Sequence, residues 1–201
     1  MIIGVLKEIH PGERRVAMAP SVVKQQCLKN AHSVLLEQGA GVIANFTDEQ
    51  YEDSGAEIVE TAHQIWERAD LILKIRAPEV NHETGEDEAD LLRKDVCLIC
   101  LLNPGRNADL LQKLAKTGGT AIAVDQIPRI SRAQSMDVLS SMANISGYRA
   151  ITEAAHHFGR LFTGQITAAG RIPPAKVLVI GAGVAGLSAV GSAQSLGAIV
   201  R

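Results

Sequence analysis

Aromatic residues are scarce in this 201-residue chain: Phe, Trp and Tyr together make up 3% of it, although 46% is hydrophobic. Its core must therefore be aliphatic, and a platform on which nucleic-acid bases stack is not expected. Charge of either sign is not in excess. Twenty Lys and Arg face 22 Asp and Glu, for a net charge of −2, which leaves no electrostatic footprint for nucleic acid or an anionic membrane. No apolar run approaches the ~20 residues of a membrane helix, nothing resembles a signal peptide, and the stretch is cytosolic in character. Cysteine is limited to Cys27, Cys97 and Cys100. The last two form a CxxC, but inside Val96–Leu102, which reads as a buried strand. Residues three apart on a strand face opposite sides, so packing thiols are expected rather than a redox or metal pair. Histidine is absent where it would matter most. None of His10, His32, His63, His82, His156 and His157 ends the strand 96–102, where Asn103-Pro104-Gly105 follows. His156 and His157 are helix neighbours that do not share a face, so no metal site is expected.

What is there begins with alternation. Apolar strand signals at 2–6, 32–36, 71–75, 96–102 and 120–124 alternate with helix signals at 22–29, 89–93 and 107–116. Ser21 is a candidate N-cap; Thr47 with Gln50, and Thr61 with Gln64, have capping-box spacing. Such alternation predicts a parallel sheet with helices on both faces. The stretch 127–136 has no period and reads as an extended loop. Met142, Ile145, Tyr148, Ile151, Ala155, Phe158 and Phe162 then recur every three or four residues, predicting one long helix from about 138 to about 161, suited to bridging two domains. Residues 163–175 read as a linker. The expected organisation is an N-terminal α/β domain (1–126), a loop and linking helix (127–163), and the start of a second Rossmann-like domain (164–201). The fold class is thus α/β: two Rossmann-like parallel-sheet domains joined by a long helix, the second incomplete. There is no internal repeat or low-complexity tract.

Three groups of residues carry chemistry. The first is Lys176-Val-Leu-Val-Ile-Gly-Ala-Gly-Val-Ala-Gly186, an apolar strand running into GxGxxG at a helix start. The first glycine suits a tight turn, the second the approach of a pyrophosphate, and the third close helix–strand packing, with the helix N-terminus offering N–H groups to phosphate. The second is Arg129, Gln134, Asp137 and Ser140. Those side chains could clamp a polar amide such as nicotinamide; alternatively, Asp137 and Ser135 cap a helix while the arginines face water. The third comprises Lys7, Glu8, Arg14 and Arg15 with Lys74, a lysine near the carboxyl end of a strand, where parallel sheets bind ligands. Arg15 and Lys74 could hold a carboxylate; a solvated lysine at a strand end is the other reading.

The stretch Pro128-Arg-Ile-Ser-Arg-Ala-Gln-Ser-Met-Asp137, continued by Ser146-Gly-Tyr-Arg149, Glu153-Ala-Ala155, Phe158-Gly-Arg160, Thr163-Gly-Gln-Ile-Thr-Ala-Ala-Gly170 and the glycine run, closely resembles the soluble NAD(H)-binding domain of the proton-translocating NAD(P) transhydrogenase alpha subunit. The resemblance covers the whole chain and is most specific from Pro128 onward. Gly4-Val-Leu-Lys-Glu8 and Arg14-Arg-Val-Ala17 also resemble the alanine dehydrogenases. The resemblance implies that Arg129, Gln134, Asp137 and Ser140 surround a nicotinamide ring, and that Gly181, Ala182, Gly183, Val184 and Gly186 carry the dinucleotide. It further implies hydride transfer from NADH to an NADP held by a separate domain, coupled to proton movement through a membrane domain. A homodimer on the cytoplasmic side of the inner (plasma) membrane is implied as well. Two nicotinamides exchanging a hydride need alignment rather than a proton donor. An alanine dehydrogenase uses Arg, Lys and a catalytic His; Arg15 and Lys74 match the first two, and Leu101-Leu-Asn103 offers no His. The alternatives are therefore a soluble alanine dehydrogenase-like enzyme or a catalytically silent fragment. The family's domain is longer than this chain, its ribose-binding carboxylate is expected beyond Arg201, and the piece alone is not expected to turn over.

Overall fold

The structure is a computed structural model that describes all residues, Met1–Arg201. They fall into two compact units, Met1–Ile127 and Pro128–Arg201. The first contains β1 (Ile2–Val5), α1 (Pro20–Asn30), β2 (Ser33–Glu37), α2 (Asp48–Glu52), β3 (Ala56–Val59), α3 (Ala62–Arg68), β4 (Leu71–Arg76), β5 (Cys97–Leu101), α4 (Ala108–Thr117) and β6 (Thr120–Ala123). The second contains α5 (Val138–His157), β7 (Gln165–Thr167), β8 (Gly170–Ile172), β9 (Lys176–Val177), α6 (Val184–Ser195) and β10 (Ile199–Val200).

The six strands of the first unit form one parallel sheet in the order β3-β2-β1-β4-β5-β6. That is the doubly wound order, in which the strand sequence reverses between β1 and β4. Period-two alternation sorts the side chains onto the two faces. Ile3, Val5, Val34 and Leu36 pack with Val23 of α1 and Tyr51 of α2. Leu35, Ile72, Leu98 and Cys100 pack with Ile65 and Trp66 of α3 and Leu114 of α4. The one tyrosine in this core does not leave its polar end unpaired, since its hydroxyl donates to the Met18 carbonyl at 2.9 Å. Cys97 is half-buried and Cys100 buried, both as free thiols. Burial pushes the Cys100 thiol up to about 12.

The Thr47–Gln50 capping box forms, with reciprocal bonds of 3.4 and 3.0 Å, and Gln64 accepts from the Thr61 N–H at 3.2 Å. Ser21 is not an N-cap. Helix α1 starts two residues earlier, with Pro20 in its first turn and Ala19 at the cap without a side-chain bond; proline's fixed φ and missing N–H suit that position. The segment expected as a helix at 89–93 is a 3-10 turn, Glu88–Leu91, capped by Asp87.

In the second unit, the loop expected to be extended winds into a 3-10 turn over Ser131–Met136. Helix α5 ends at His157 rather than near 161, just before Gly159 takes a left-handed φ of 73°. Helix α5 lies along α6 and shares its core: Ile151 packs with Phe162, Ala175, Ala189 and Ala193. The supposed linker holds an antiparallel hairpin, β7–β8. Strands β9 and β10 pair in parallel around α6, Lys176 beside Ile199, and the ladder extends to Val179, whose N–H donates to the Arg201 carbonyl. No helix is long and apolar enough to cross a membrane.

Candidate functional site

The glycine turn of the second unit has the geometry that its spacing predicts. Gly181 has φ of 108°, a conformation that a side chain would strain. At Gly183 a Cβ would meet nothing within 4 Å, so the backbone there faces open space. At Gly186 a Cβ would lie 1.9 Å from the Gly181 carbonyl oxygen, so the helix could not start this close to the turn with any other residue. Helix α6 begins at Val184 with no acidic side chain in its first turn. Its unpaired N–H groups and positive dipole end are therefore free of an internal carboxylate.

Asp137 sits at the N-cap of α5. Its Oδ1 accepts from the Ser140 N–H at 2.9 Å and its Oδ2 from the Ser140 hydroxyl at 2.6 Å. Arg129 Nε stands 3.9 Å from the same Oδ2, and two-thirds of the arginine side chain is exposed. The Ser140 hydroxyl, then its N–H, then the Arg129 charge hold the Asp137 carboxyl below the usual carboxylate range. It is an acceptor at neutral pH, not a proton donor.

Arg129 and Ser140 join the glycine turn in one concavity. It holds about 330 Å³ and is lined by Arg129, Ser140 and Ala143 on one side and by Ile180, Gly181, Gly183, Val184, Ala185 and Gly186 on the other. The volume is at the small end for ligand clefts. Asp137 stands behind this wall and acts on it through Ser140. Gln134 is exposed; its backbone carbonyl accepts from the Asp137 N–H at 3.2 Å, which holds it in the turn, but its side chain is not part of the lining. Ala143, Ile180 and Ala185 are lining residues that the sequence reading passed over. Ala143 had a signal, since it lies one turn beyond Ser140 on the same helix face. No histidine reaches the concavity.

A dinucleotide would meet suitable groups here. The open backbone at Gly183 and the acid-free α6 N-terminus fit a pyrophosphate, and a half-free guanidinium with a serine hydroxyl fits the polar edge of a nicotinamide.

The first unit treats its own ligand position differently. At the β1/β4 switch point, the Glu8 carboxylate accepts from the backbone N–H groups of Ile75 and Arg76. Lys74, whose side chain is 1% exposed, donates to Glu88 at 2.8 Å and stands 3.9 Å from Glu8. Arg15 donates twice to Glu13, at 2.7 and 2.6 Å, and Arg76 donates to the same carboxylate at 2.7 Å. Both proposed carboxylate-binding cations, Arg15 and Lys74, are therefore already paired with the chain's own glutamates. Arg14 donates only its backbone N–H to Glu13, and Lys7 its N–H to Glu37.

Residues 4–146 match the N-terminal domain of the family described as alanine dehydrogenase/PNT, and residues 150–201 match its C-terminal domain. The chain is 52% identical to NAD(P) transhydrogenase subunit alpha of Cereibacter sphaeroides over 199 residues, 99% of this chain and 37% of that subunit. Its fold superposes on a crystal structure of transhydrogenase from Sinorhizobium meliloti with a TM-score of 0.92 at 40% identity, covering 100% of this chain and 57% of that one. An L-alanine dehydrogenase structure follows at 0.82 and 30% identity, covering 98% of this chain and 53% of that one. The chain thus spans from about a third to just over half of the proteins it matches, and across its two matched segments it belongs to the alanine dehydrogenase/PNT family.

Proposed function

We propose that this chain is the NAD(H)-binding part of a proton-translocating NAD(P) transhydrogenase. The observation that carries the reading is the single concavity on which Arg129, Ser140 and the Gly181–Gly186 turn meet, with Asp137 locked behind them. NADH bound there would supply a hydride, and NADP would receive it from a separate domain of the same enzyme. The chain's own residues orient rather than transfer protons. The glycine turn and the α6 N-terminus hold the pyrophosphate. Arg129 and Ser140 fix the nicotinamide edge, Asp137 keeps both in place, and Gln134 belongs to the turn that precedes α5. Alignment of this kind is worth a large part of a hydride-transfer barrier. The partners are the NADP-binding and membrane domains of that enzyme and a second copy of the subunit, on the cytoplasmic side of the inner (plasma) membrane.

Against an alanine dehydrogenase, Lys74 and Arg15 are engaged by Glu88 and Glu13, and Leu101-Leu-Asn103 at the end of β5 offers no imidazole. Fluorescence titration with NADH tests the site, and reduction of an NADP analogue by NADH in the complete enzyme tests the reaction. Gln134→Asn and Asp137→Asn are expected to lose hydride transfer while keeping NADH affinity. Full activity in both variants refutes the proposed roles, and NADH oxidation dependent on pyruvate and ammonium would favour the dehydrogenase.

A further inference from the structure

Helices α5 and α6 touch through backbone at one point. A Cβ on Gly147 would lie 2.1 Å from the Ala185 carbonyl oxygen, 2.9 Å from its carbonyl carbon and 3.0 Å from Ser188 Cβ. One turn before Gly147 on α5 a second tie exists, where the Ser188 hydroxyl donates to the Asn144 carbonyl at 2.7 Å. Both contacts lie close to the concavity. Ala185 is itself part of its wall, and Ser140 is seven residues, about two turns, before Gly147 on the same helix. The two sides of the site are thus the leading ends of two helices that meet at Gly147.

We infer that Gly147 is a positioning residue: by letting α5 approach α6 to backbone contact, it sets the separation between the Arg129–Ser140 wall and the Gly181–Gly186 turn. The inference rests on the reading of that concavity as the NAD(H) site. Gly147 sits mid-helix, where alanine would normally be favoured by about 1 kcal/mol through helix propensity alone. The propensity cost of glycine is tolerated here because no side chain fits. The obstacle is a carbonyl oxygen of the α6 backbone, which cannot rotate aside, so a methyl group has to move the whole helix by ~1 Å to reach ordinary contact. Ser188 fixes the register along the same line. The pyrophosphate contacts, which belong to α6 alone, are unaffected by such a shift. The nicotinamide contacts belong to α5 and its N-terminal turn and move with it.

Gly147→Ala in the complete enzyme tests this, with Gly191→Ala as the control, because a Cβ at Gly191 would meet nothing within 4 Å. Expected for Gly147→Ala is a hydride-transfer rate lowered 10- to 100-fold, in line with the cost of a 1 Å misplacement, with NADH affinity changed by less than about threefold and circular dichroism retained. The control should behave as wild type. Rate and affinity both at wild-type level in Gly147→Ala overturn the inference. So does a loss of both in proportion to a lowered melting temperature, the pattern of a merely structural residue. If Gly147→Ala does not fold, Ser188→Ala decides: it keeps the Cβ and removes only the hydroxyl tie, and a lowered rate at unchanged affinity supports the inference while an unchanged rate overturns it. Wild type failing to bind NADH refutes the functional reading instead. Even then, a ligand-free crystal structure of Gly147→Ala decides the positioning claim, by showing Arg129 and Ser140 displaced from the Gly181–Gly186 turn or not.

Discussion

Glu13 offers the sharpest test of the first unit's electrostatics. Its side chain is 4% exposed, and it accepts from Arg15 Nε and Nη2, from Arg76 Nε and from the backbone N–H groups of Arg14 and Arg15. The Arg15 hydrogen bonds, opposed in part by burial and helped by Arg76, hold its carboxyl at about 2 against an ordinary 4.5. A folded-state value below the unfolded one means that ionised Glu13 stabilises the fold above about pH 4.5 and that this stabilisation disappears as pH falls through about 2. Taken at face value the shift is worth about 3 kcal/mol. Arg15 and Arg76 are 34% and 41% exposed, however, and screening of such partners reduces the figure to ~1–2 kcal/mol.

Glu13→Gln should therefore lose ~1–2 kcal/mol at pH 7. Urea denaturation followed by tryptophan fluorescence measures it cleanly, because the chain has one tryptophan and Trp66 is buried in the first unit's core. The gap between wild type and variant should shrink to less than half by about pH 3. Comparing the two proteins at each pH cancels the opposite drift from Glu37 and Glu88, whose carboxyls burial raises and which therefore favour the fold as pH falls. Equal losses at pH 7 and pH 3, or none at pH 7, would refute the claim that Glu13 anchors Arg15 as an ion.

Other consequences can be checked on the same protein. Gly183→Val should weaken NADH binding at least tenfold in a fluorescence titration and leave circular dichroism unchanged, since the added side chain fills open space and not packed protein. Lys74→Ala should cost about 3–5 kcal/mol in the Trp66-monitored transition by stranding Glu88, and Lys74→Met with Glu88→Gln together should recover much of it. Cys100 should resist iodoacetamide at pH 8 until denaturant is added, as read by peptide mass spectrometry, because burial pushes its thiol up to about 12.

Long-period features were legible from sequence and close contacts were not. Alternating strands and helices predicted the parallel sheet of the first unit, since buried parallel strands must be continuous apolar runs such as Val34-Leu35-Leu36. Element ends were set by single residues acting on the backbone: Pro20 overrode Ser21 at the start of α1, and Gly159 cut short a helix whose apolar period runs on to Phe162. The hairpin β7–β8 was hidden because each strand has three residues, too few for any period to register. In the site, GxGxxG announced itself because each glycine serves a backbone need. Asp137 as a cap is one of two readings of its stretch and holds, but it accepts from Ser140, and Ser135, offered as a cap beside it, is not the N-cap of α5. The contact at Gly147 did not announce itself, because nothing in a run such as Ser146-Gly-Tyr148 tells whether a glycine faces water or another helix's carbonyl.

Cationic residues near strand ends mislead when read alone. In the first unit, Lys74 and Arg15 stand near the β1/β4 switch point, where ligands of such sheets bind. Yet each meets a glutamate of the chain, and Glu8 takes the backbone donors that a ligand would otherwise use. Burying an ion pair is costly, and removing one partner is costlier still, so a ligand carboxylate could enter only by displacing a carboxylate already in place. In the second unit the balance is reversed. The α6 N-terminus has no acidic neighbour in its first turn, Arg129 is two-thirds exposed, and the one nearby carboxylate, Asp137, is committed to Ser140. Free donors beside open backbone are what a phosphate-bearing ligand requires, and an ionised carboxylate with no imidazole beside it offers no proton to give. That combination favours the proposed hydride alignment over acid–base chemistry.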